Sequence, residues 1–211
     1  MSDQHELATI EQLETLYGQP AIGSILKEIP VINAAYRALI EVSPFCILAT
    51  CGPEGLDASP RGDAPGFVRV VDEKTLLLPD RRGNQRIDSL RNIVRDPRVA
   101  LLFLIPGVGE TLRVNGRGAL TTDPAMLASF AVDGKSPKTV LRLTVDTVYF
   151  QCARALARSK LWDPSQHVDR KSLPSTGTLT VAARDTKRDT TEFDAAAYDA
   201  LLAERQKATM Y

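Results

Sequence analysis

Histidine is nearly absent from this chain: His5 and His167 are the only two among 211 residues, far apart and in polar surroundings. That argues against a zinc or haem site built on histidine ligands, and no metal site is expected. Tryptophan occurs once and aromatic residues make up 6%, which leaves few stacking platforms for single-stranded nucleic acid. There is no excess of charge of one sign, since 26 Lys+Arg balance 26 Asp+Glu. General nucleic-acid binding usually needs a basic surplus, so it is disfavoured, while a small anion held by a local cluster is not. Cysteine occurs three times, as Cys46, Cys51 and Cys152, with no secretory pattern in the polar, acidic opening residues. An odd count in that context fits a reducing cytoplasm and no disulfide framework. Cys46 and Cys51 are an odd step apart, so on one strand they face opposite sides; both read as structural. No apolar run approaches a membrane span. No G-x-G-x-x-G or Walker pattern is present, which disfavours the dinucleotide-fold and P-loop routes to phosphate binding.

What is present is a 44% hydrophobic chain with enough apolar residues for a core, of a length that fits one domain or one with a helical appendage. Residues 6–16 and 32–42 read as helices, the second ended by Ser43-Pro44. The texture then turns to strands. "FCILATC" and "LDASP" flank the turn "CGPEG", "GFVRVVD" alternates, and "TLLLP" follows the turn "DEK". A helix over 87–95 stops at Asp96-Pro97. "RVALLFLI" is a buried strand, "TLRVNGRGALTT" a long one with a bulge or bend at Gly116 and Gly118, and "TVLRLTVDTVYF" the last. Residues 124–132 and "QCARALARSKLW" read as helices, 163–189 as loop, and 193–206 as a closing helix. Strands with short connections and few intervening helices predict a mainly β fold, a small antiparallel barrel with peripheral helices. The chain divides into a helical segment 1–43, a barrel 44–162, and a loop with a helix over 163–211.

Four clusters carry chemistry. In "LLLPDRRGNQRIDSLRNIV", Leu76 to Val94, an apolar run stops at Pro79 and Arg81, Arg82 and Arg86 follow. A helical pattern begins there, with Ile87, Leu90, Ile93 and Val94 at spacings of three and four. The start of a helix already carries partial positive charge, so cations gathered there imply something negative among them. Gly83 allows close backbone approach, and free N–H groups with planar guanidiniums are how a phosphate is held. The plainer reading is a solvated basic turn paired with Asp80 and Asp88. In "DASPRGDAPGF", Arg61 and Asp63 flank Gly62 between Pro60 and Pro65, a stiff loop that suits a planar polar ligand. Taken alone, a salt-bridged hairpin connection explains it better. In "ETLRVNGRG", Thr111, Arg113, Asn115 and Arg117 are spaced by two, so they face solvent, a ligand or a partner subunit. "FQCARALARSKLW" carries Trp162 with Arg154, Arg158 and Lys160; taken alone, core packing with a solvated basic face explains it better.

Together "SPRGDAPGFVRV", "LLLPDRRGNQRIDSLRNIVRDPRVALLFLIPG", "ETLRVNGRG" and "QCARALARSKLW" resemble the pyridoxamine 5′-phosphate oxidase-like, FMN-binding split-barrel superfamily in order and spacing. They are most similar to its bacterial branch with the PDR-GN-R-DSL-NI motif. The resemblance covers about 44–162. It implies a six-stranded antiparallel split β-barrel that forms a homodimer, with FMN in grooves between subunits. Ser59, Arg61, Gly62 and Asp63 then match the segment lining the flavin and its phosphate. Leu78, Pro79, Asp80, Arg82, Asn84 and Arg86 match the one closing over the phosphate, with Arg82 and Arg86 as its foremost ligands. Thr111, with Arg113 beyond it, falls where oxidase members place a glutamine near the isoalloxazine ring. Gln151, Cys152, Arg158, Ser159 and Trp162 are expected from the other subunit; Cys152 either touches the flavin or is a small packing residue.

The chain departs from the vitamin B6 oxidases in two places. Ala64-Pro65-Gly66 stand where they carry a lysine, and the chain reads "KATMY" where they have a substrate-binding tryptophan-and-arginine motif. The resemblance therefore implies flavin binding more than vitamin B6 oxidation. A flavin-dependent oxidoreductase of the cytoplasm is the favoured expectation. A non-catalytic FMN-binding or stress-associated protein, and a related barrel holding haem or a deazaflavin, are the alternatives.

Overall fold

The computed structural model describes residues 5–208 and 210–211. In chain order the elements are α1 (Ile10–Tyr17), α2 (Ile22–Leu26), α3 (Ala34–Val42), β1 (Phe45–Gly52), β2 (Gly55–Gly62), β3 (Arg69–Val70) and β4 (Thr75–Pro79). They continue with α4 (Asp88–Arg95), β5 (Arg98–Leu104), β6 (Thr111–Thr121), α5 (Pro124–Ser129), β7 (Val140–Gln151), α6 (Arg154–Ser159), α7 (Thr176–Thr186) and α8 (Ala195–Ala208). Two short 3-10 turns lie between α6 and α7. No described helix is long and apolar enough to cross a membrane.

The fold is one mainly antiparallel sheet with peripheral helices, in the order β2-β1-β5-β6-β7-β4-β3. It has seven strands where six were expected, and no ladder joins β2 to β3, so the barrel is open there. The expected strand "GFVRVVD" shrinks to two residues. Phe67 and Val68 are consecutive and both buried, which an alternating strand does not permit. Gly66 just before them has φ 83°, a left-handed turn that brings both into the core.

One face of each of β1, β5, β6 and β7 builds the core. Cys46 and Leu48 of β1, Leu101 and Phe103 of β5, Leu112 and Val114 of β6, and Leu143 and Val148 of β7 are buried together. Burial raises the Cys46 thiol to about 12, against the pull of Arg61, which fits a packing role. The other face holds Ile47, Leu102, Arg113 and Tyr149 in successive register, all half-buried. The expected irregularity in β6 is found as a register shift between Asn115 and Gly116. A Cβ at Gly116 would stand 2.1 Å from the Thr144 carbonyl oxygen, so glycine is required for the close approach of β7.

Ahead of the barrel, α3 sends Tyr36 and Ile40 into the core. The first helix starts at Ile10, later than expected, because Thr9 and Gln12 form a capping box that sets its start. Residues 163–189, expected as loop, contain α7. Its Thr- and Gly-rich sequence has low helix propensity, and the helix is held by tertiary contact. Ser175 caps it, and Gly177 sits so close to α8 that a Cβ would stand 2.5 Å from the Ala195 carbonyl oxygen. Asp199 of α8 accepts hydrogen bonds from Ser175 Oγ and the Gly177 N–H.

Candidate functional site

A cavity of about 1010 Å³ opens between the exit of β2, the β4–α4 connection and the α5–β7 loop. Arg61, Arg81, Arg82, Arg86, Lys135 and Lys138 line it, against Asp57, Asp80 and Asp88, so cations are in twofold excess. Among the described residues, no histidine or cysteine lines it.

The start of α4 forms one wall. Ile87 precedes the helix in the left-handed region, φ 56°, and no side chain caps the N–H groups of the first turn. That leaves donors and the positive end of the helix dipole available to an anion. The helix turns an unexpected face to the barrel. Its apolar stripe was expected to comprise Ile87, Leu90, Ile93 and Val94, but the buried residues are Ser89, Asn92 and Ile93, while Ile87 and Val94 are exposed. Two polar residues are buried because they have partners. Asn92 donates to Thr50 Oγ1 at 3.1 Å, and Ser89 Oγ donates to Asp57 while accepting from Arg61. Asn92 also packs over Gly52, where a Cβ would meet its Oδ1 at 2.3 Å.

Arg61 is held from the helix side and from β2. Its guanidinium donates to Ser59 Oγ at 2.5 Å, to the Pro60 carbonyl at 3.0 Å and to Ser89 Oγ at 3.3 Å, with no carboxylate bound to it. The nearby carboxylate Asp63 instead pairs with Arg81, whose Nε donates to Asp63 Oδ2 at 2.6 Å. Burial would raise the Asp63 carboxyl, but hydrogen bonds from Tyr211, the Ala64 N–H and Arg81 outweigh it and hold Asp63 below its ordinary range. Arg86 is paired with Asp88 at 2.8 Å and points largely to solvent, as the plainer reading of that turn expected. Arg82 has no hydrogen-bonded partner among the described residues, which leaves its guanidinium free for a ligand.

Among the described residues, Asp80 is the one carboxyl whose pKa is raised. It is half-buried, and burial raises its carboxyl above the ordinary value although Arg61 and Lys138 pull it down. A folded pKa above the unfolded one means that Asp80 favours folding fully only below the unfolded carboxyl pKa, and loses that contribution as pH rises through the folded value. Asp80→Asn is therefore expected to melt higher than wild type at pH 7, with the difference gone near pH ~3. Parallel calorimetric melts at the two pH values check this.

Of the sequence-predicted site residues, the cavity is lined by Ser59, Arg61, Gly62, Pro79, Asp80, Arg82, Asn84 and Arg86. Asp63 adjoins it through Arg81, and Leu78 points into the core. The remaining ones lie elsewhere. Thr111 pairs with Gln151, and Arg113 donates to the Tyr149 hydroxyl at 2.9 Å. Trp162 donates its indole N–H to the Val108 carbonyl of its own chain at 2.8 Å. Arg158 and Ser159 are exposed on α6, and Cys152 is exposed beside it, its thiol lowered chiefly by the Arg154 N–H. None of these lines the cavity. Gln151 lies at the opposite end of β7 from Val140, the partner of Pro79. Sequence reasoning missed Ser89, Lys135, Lys138 and Tyr211. Ser89 and Asn92, polar and three apart on an otherwise apolar helix face, were the only local signal.

Residues 32–152 match the pyridoxamine 5′-phosphate oxidase family. Several solved structures are similar over part of the chain. HupZ from Group A Streptococcus is 20% identical, covering 56% of this chain and 91% of that one, with a TM-score of 0.45. General stress protein 26 from Bacillus anthracis is 14% identical over 54% and 88%, TM-score 0.41. A protein from Clostridium acetobutylicum related to general stress protein 26 of B. subtilis, of the pyridoxinephosphate oxidase family, is 17% identical over 55% and 84%, TM-score 0.40. No curated protein matches the chain.

Proposed function

Because the chain belongs to the pyridoxamine 5′-phosphate oxidase family, we propose that it binds FMN in the basic cavity and acts as a flavin-dependent oxidoreductase on a small molecule. The observation that carries this reading is the junction of Arg61 and Arg82, the latter unpaired among the described residues, with the uncapped start of α4. A phosphate monoester is close to dianionic at neutral pH and suits that donor set. The cavity volume is ample for a molecule the size of FMN. Bound there, FMN supplies hydride or single-electron transfer. The residues of the chain hold the phosphate through Arg61, Arg82 and the α4 N–H groups. Gly62 keeps the β2 exit narrow, since a Cβ there would press on the Pro44 carbonyl at 3.3 Å.

A homodimer completes the site. Ile47, Leu102 and Leu104 leave an apolar strip half-exposed on the outer face of the central strands, beside Arg113 and Tyr149. A second copy covering that strip brings Gln151 and Trp162 of one subunit toward the cavity of the other, and two-fold symmetry makes two identical sites. The second reading is a flavin-binding protein without turnover, since the basic cavity serves binding alone equally well.

Protein purified without added cofactor is expected to be yellow, to release FMN identified by mass spectrometry, and to bind FMN at least about tenfold more tightly than riboflavin. Equal affinity for the two removes the phosphate argument. Light scattering after size-exclusion chromatography is expected to give the dimer mass; a monomer holding stoichiometric FMN sinks the shared site. Reduction of the bound flavin by NADH or NADPH, followed by reoxidation with an added acceptor, separates the oxidoreductase from the non-catalytic reading.

A further inference from the structure

Tyr211 follows α8 in sequence, yet it lines the cavity beside the exit of β2. Its hydroxyl donates to Asp63 Oδ1 at 2.8 Å. The same carboxylate accepts from the Ala64 N–H at 2.8 Å and from Arg81 Nε at 2.6 Å. Arg81 in turn donates to the Phe130 carbonyl at 2.7 Å, and its guanidinium lies 5.5 Å from the centre of the Tyr211 ring. The side chain of Asp63 is only 5% exposed. A carboxylate so enclosed is tolerable because each oxygen has a donor, and Tyr211 supplies one of them.

This clasp ties together three segments distant in sequence: the β2 exit, the β4 exit and the residues after α8. It shares no hydrogen bond with the groups assigned to the phosphate. Arg61 bonds to Ser59, Pro60 and Ser89, and Arg82 bonds to nothing described. Tyr211 is one of the residues bounding the cavity of about 1010 Å³, so its phenol forms part of the wall.

We propose that Tyr211 is a positioning residue that closes the cavity and retains the bound flavin, acting through Asp63 and Arg81. This rests on the FMN reading above. A wall residue that does not recognise the ligand changes how fast the ligand leaves and hardly changes how fast it arrives. Loss of the hydroxyl removes one of the two donors to Asp63 Oδ1 and leaves the Ala64 N–H as its remaining one, which loosens the loop that carries Asp63 and Ala64.

The test uses the full chain with Tyr211→Ala and Tyr211→Phe. FMN association and dissociation are followed by flavin fluorescence, and amide hydrogen exchange of residues 63–66 is measured in flavin-free protein. Tyr211→Ala is expected to release FMN about tenfold faster, equivalent to about 1.4 kcal/mol, with the association rate within about twofold of wild type. Tyr211→Phe keeps the ring against Arg81 and falls between wild type and alanine. In flavin-free protein, exchange at Ala64 is expected to rise in both variants. Release at the wild-type rate, or slower release in Tyr211→Ala, overturns the closing role while leaving FMN binding intact. Unchanged exchange at Ala64 overturns the clasp. If wild-type protein binds no FMN, the cofactor reading fails instead, and the exchange measurement still decides whether Tyr211 orders the wall.

Discussion

Arg61→Ala is expected to weaken FMN binding by between about tenfold and a hundredfold, with riboflavin binding nearly unchanged. Arg61 is the cation best placed to act on a phosphate. Its guanidinium is fixed by Ser59, the Pro60 carbonyl and Ser89, so little rotamer entropy remains to be lost on binding. No carboxylate competes for it by direct contact, and a charge-assisted bond to an anion contributes on the order of 1.5–3 kcal/mol. Arg82→Ala is expected to cost less, about tenfold, because a free side chain must first be ordered. Arg86→Ala should cost least, since Arg86 is tied to Asp88 and its side chain is 72% exposed. Arg142→Ala, an exposed cation on β7 away from the cavity lining, is the control of equal charge. Titration with FMN and with riboflavin measures the series. If Arg61→Ala loses no more FMN affinity than Arg142→Ala, the phosphate lies elsewhere.

Phe103→Ala is expected to destabilise the fold by about 3–5 kcal/mol. That is a large share of the roughly 5–15 kcal/mol that holds a domain of this kind folded. Phe103 is wholly buried and stands in register with Cys46 on one side and Leu112 on the other, at the centre of the continuous ladder. Truncation leaves a cavity that three closely hydrogen-bonded strands cannot collapse to fill. Leu56→Ala is the contrast, because Leu56 is 89% exposed on β2 and its loss should cost within about 0.5 kcal/mol. Denaturant unfolding of the three proteins, compared at constant slope, checks both expectations. A Phe103→Ala cost near that of Leu56→Ala would mean that the strand register is different.

Much of the barrel was legible in the chain because strands announce themselves locally. "FCILATC" and "RVALLFLI" alternate or run apolar within one segment, and "CGPEG" turns within five residues, so each needs only its neighbours in sequence to be read. The Gly116 irregularity was legible for the same reason. The basic turn from Arg81 to Arg86 was visible because charge at a helix start conflicts with the helix dipole, and such a conflict singles out a candidate site. What each arginine does was not visible. Four cations of similar type lie at positions 61, 81, 82 and 86; the structure gives one to Ser89, one to Asp63, one to Asp88 and leaves one free.

The residues of the chain, taken in order, determined most of the secondary elements, the antiparallel class, the family resemblance and the cluster of arginines between β4 and α4. These follow from periodicity, turn chemistry and charge, which act over a few positions. Tertiary structure alone decided that α4 buries Ser89 and Asn92 in place of Ile87 and Val94, that α7 is a helix, and that Tyr211 reaches Asp63, 148 positions away. Each of these depends on a partner from a distant segment: Thr50 and Asp57 for α4, α8 for α7, the β2 exit for Tyr211. A buried polar group is stable only where its partner is, and that partner's place is set by the folded sheet and not by local sequence.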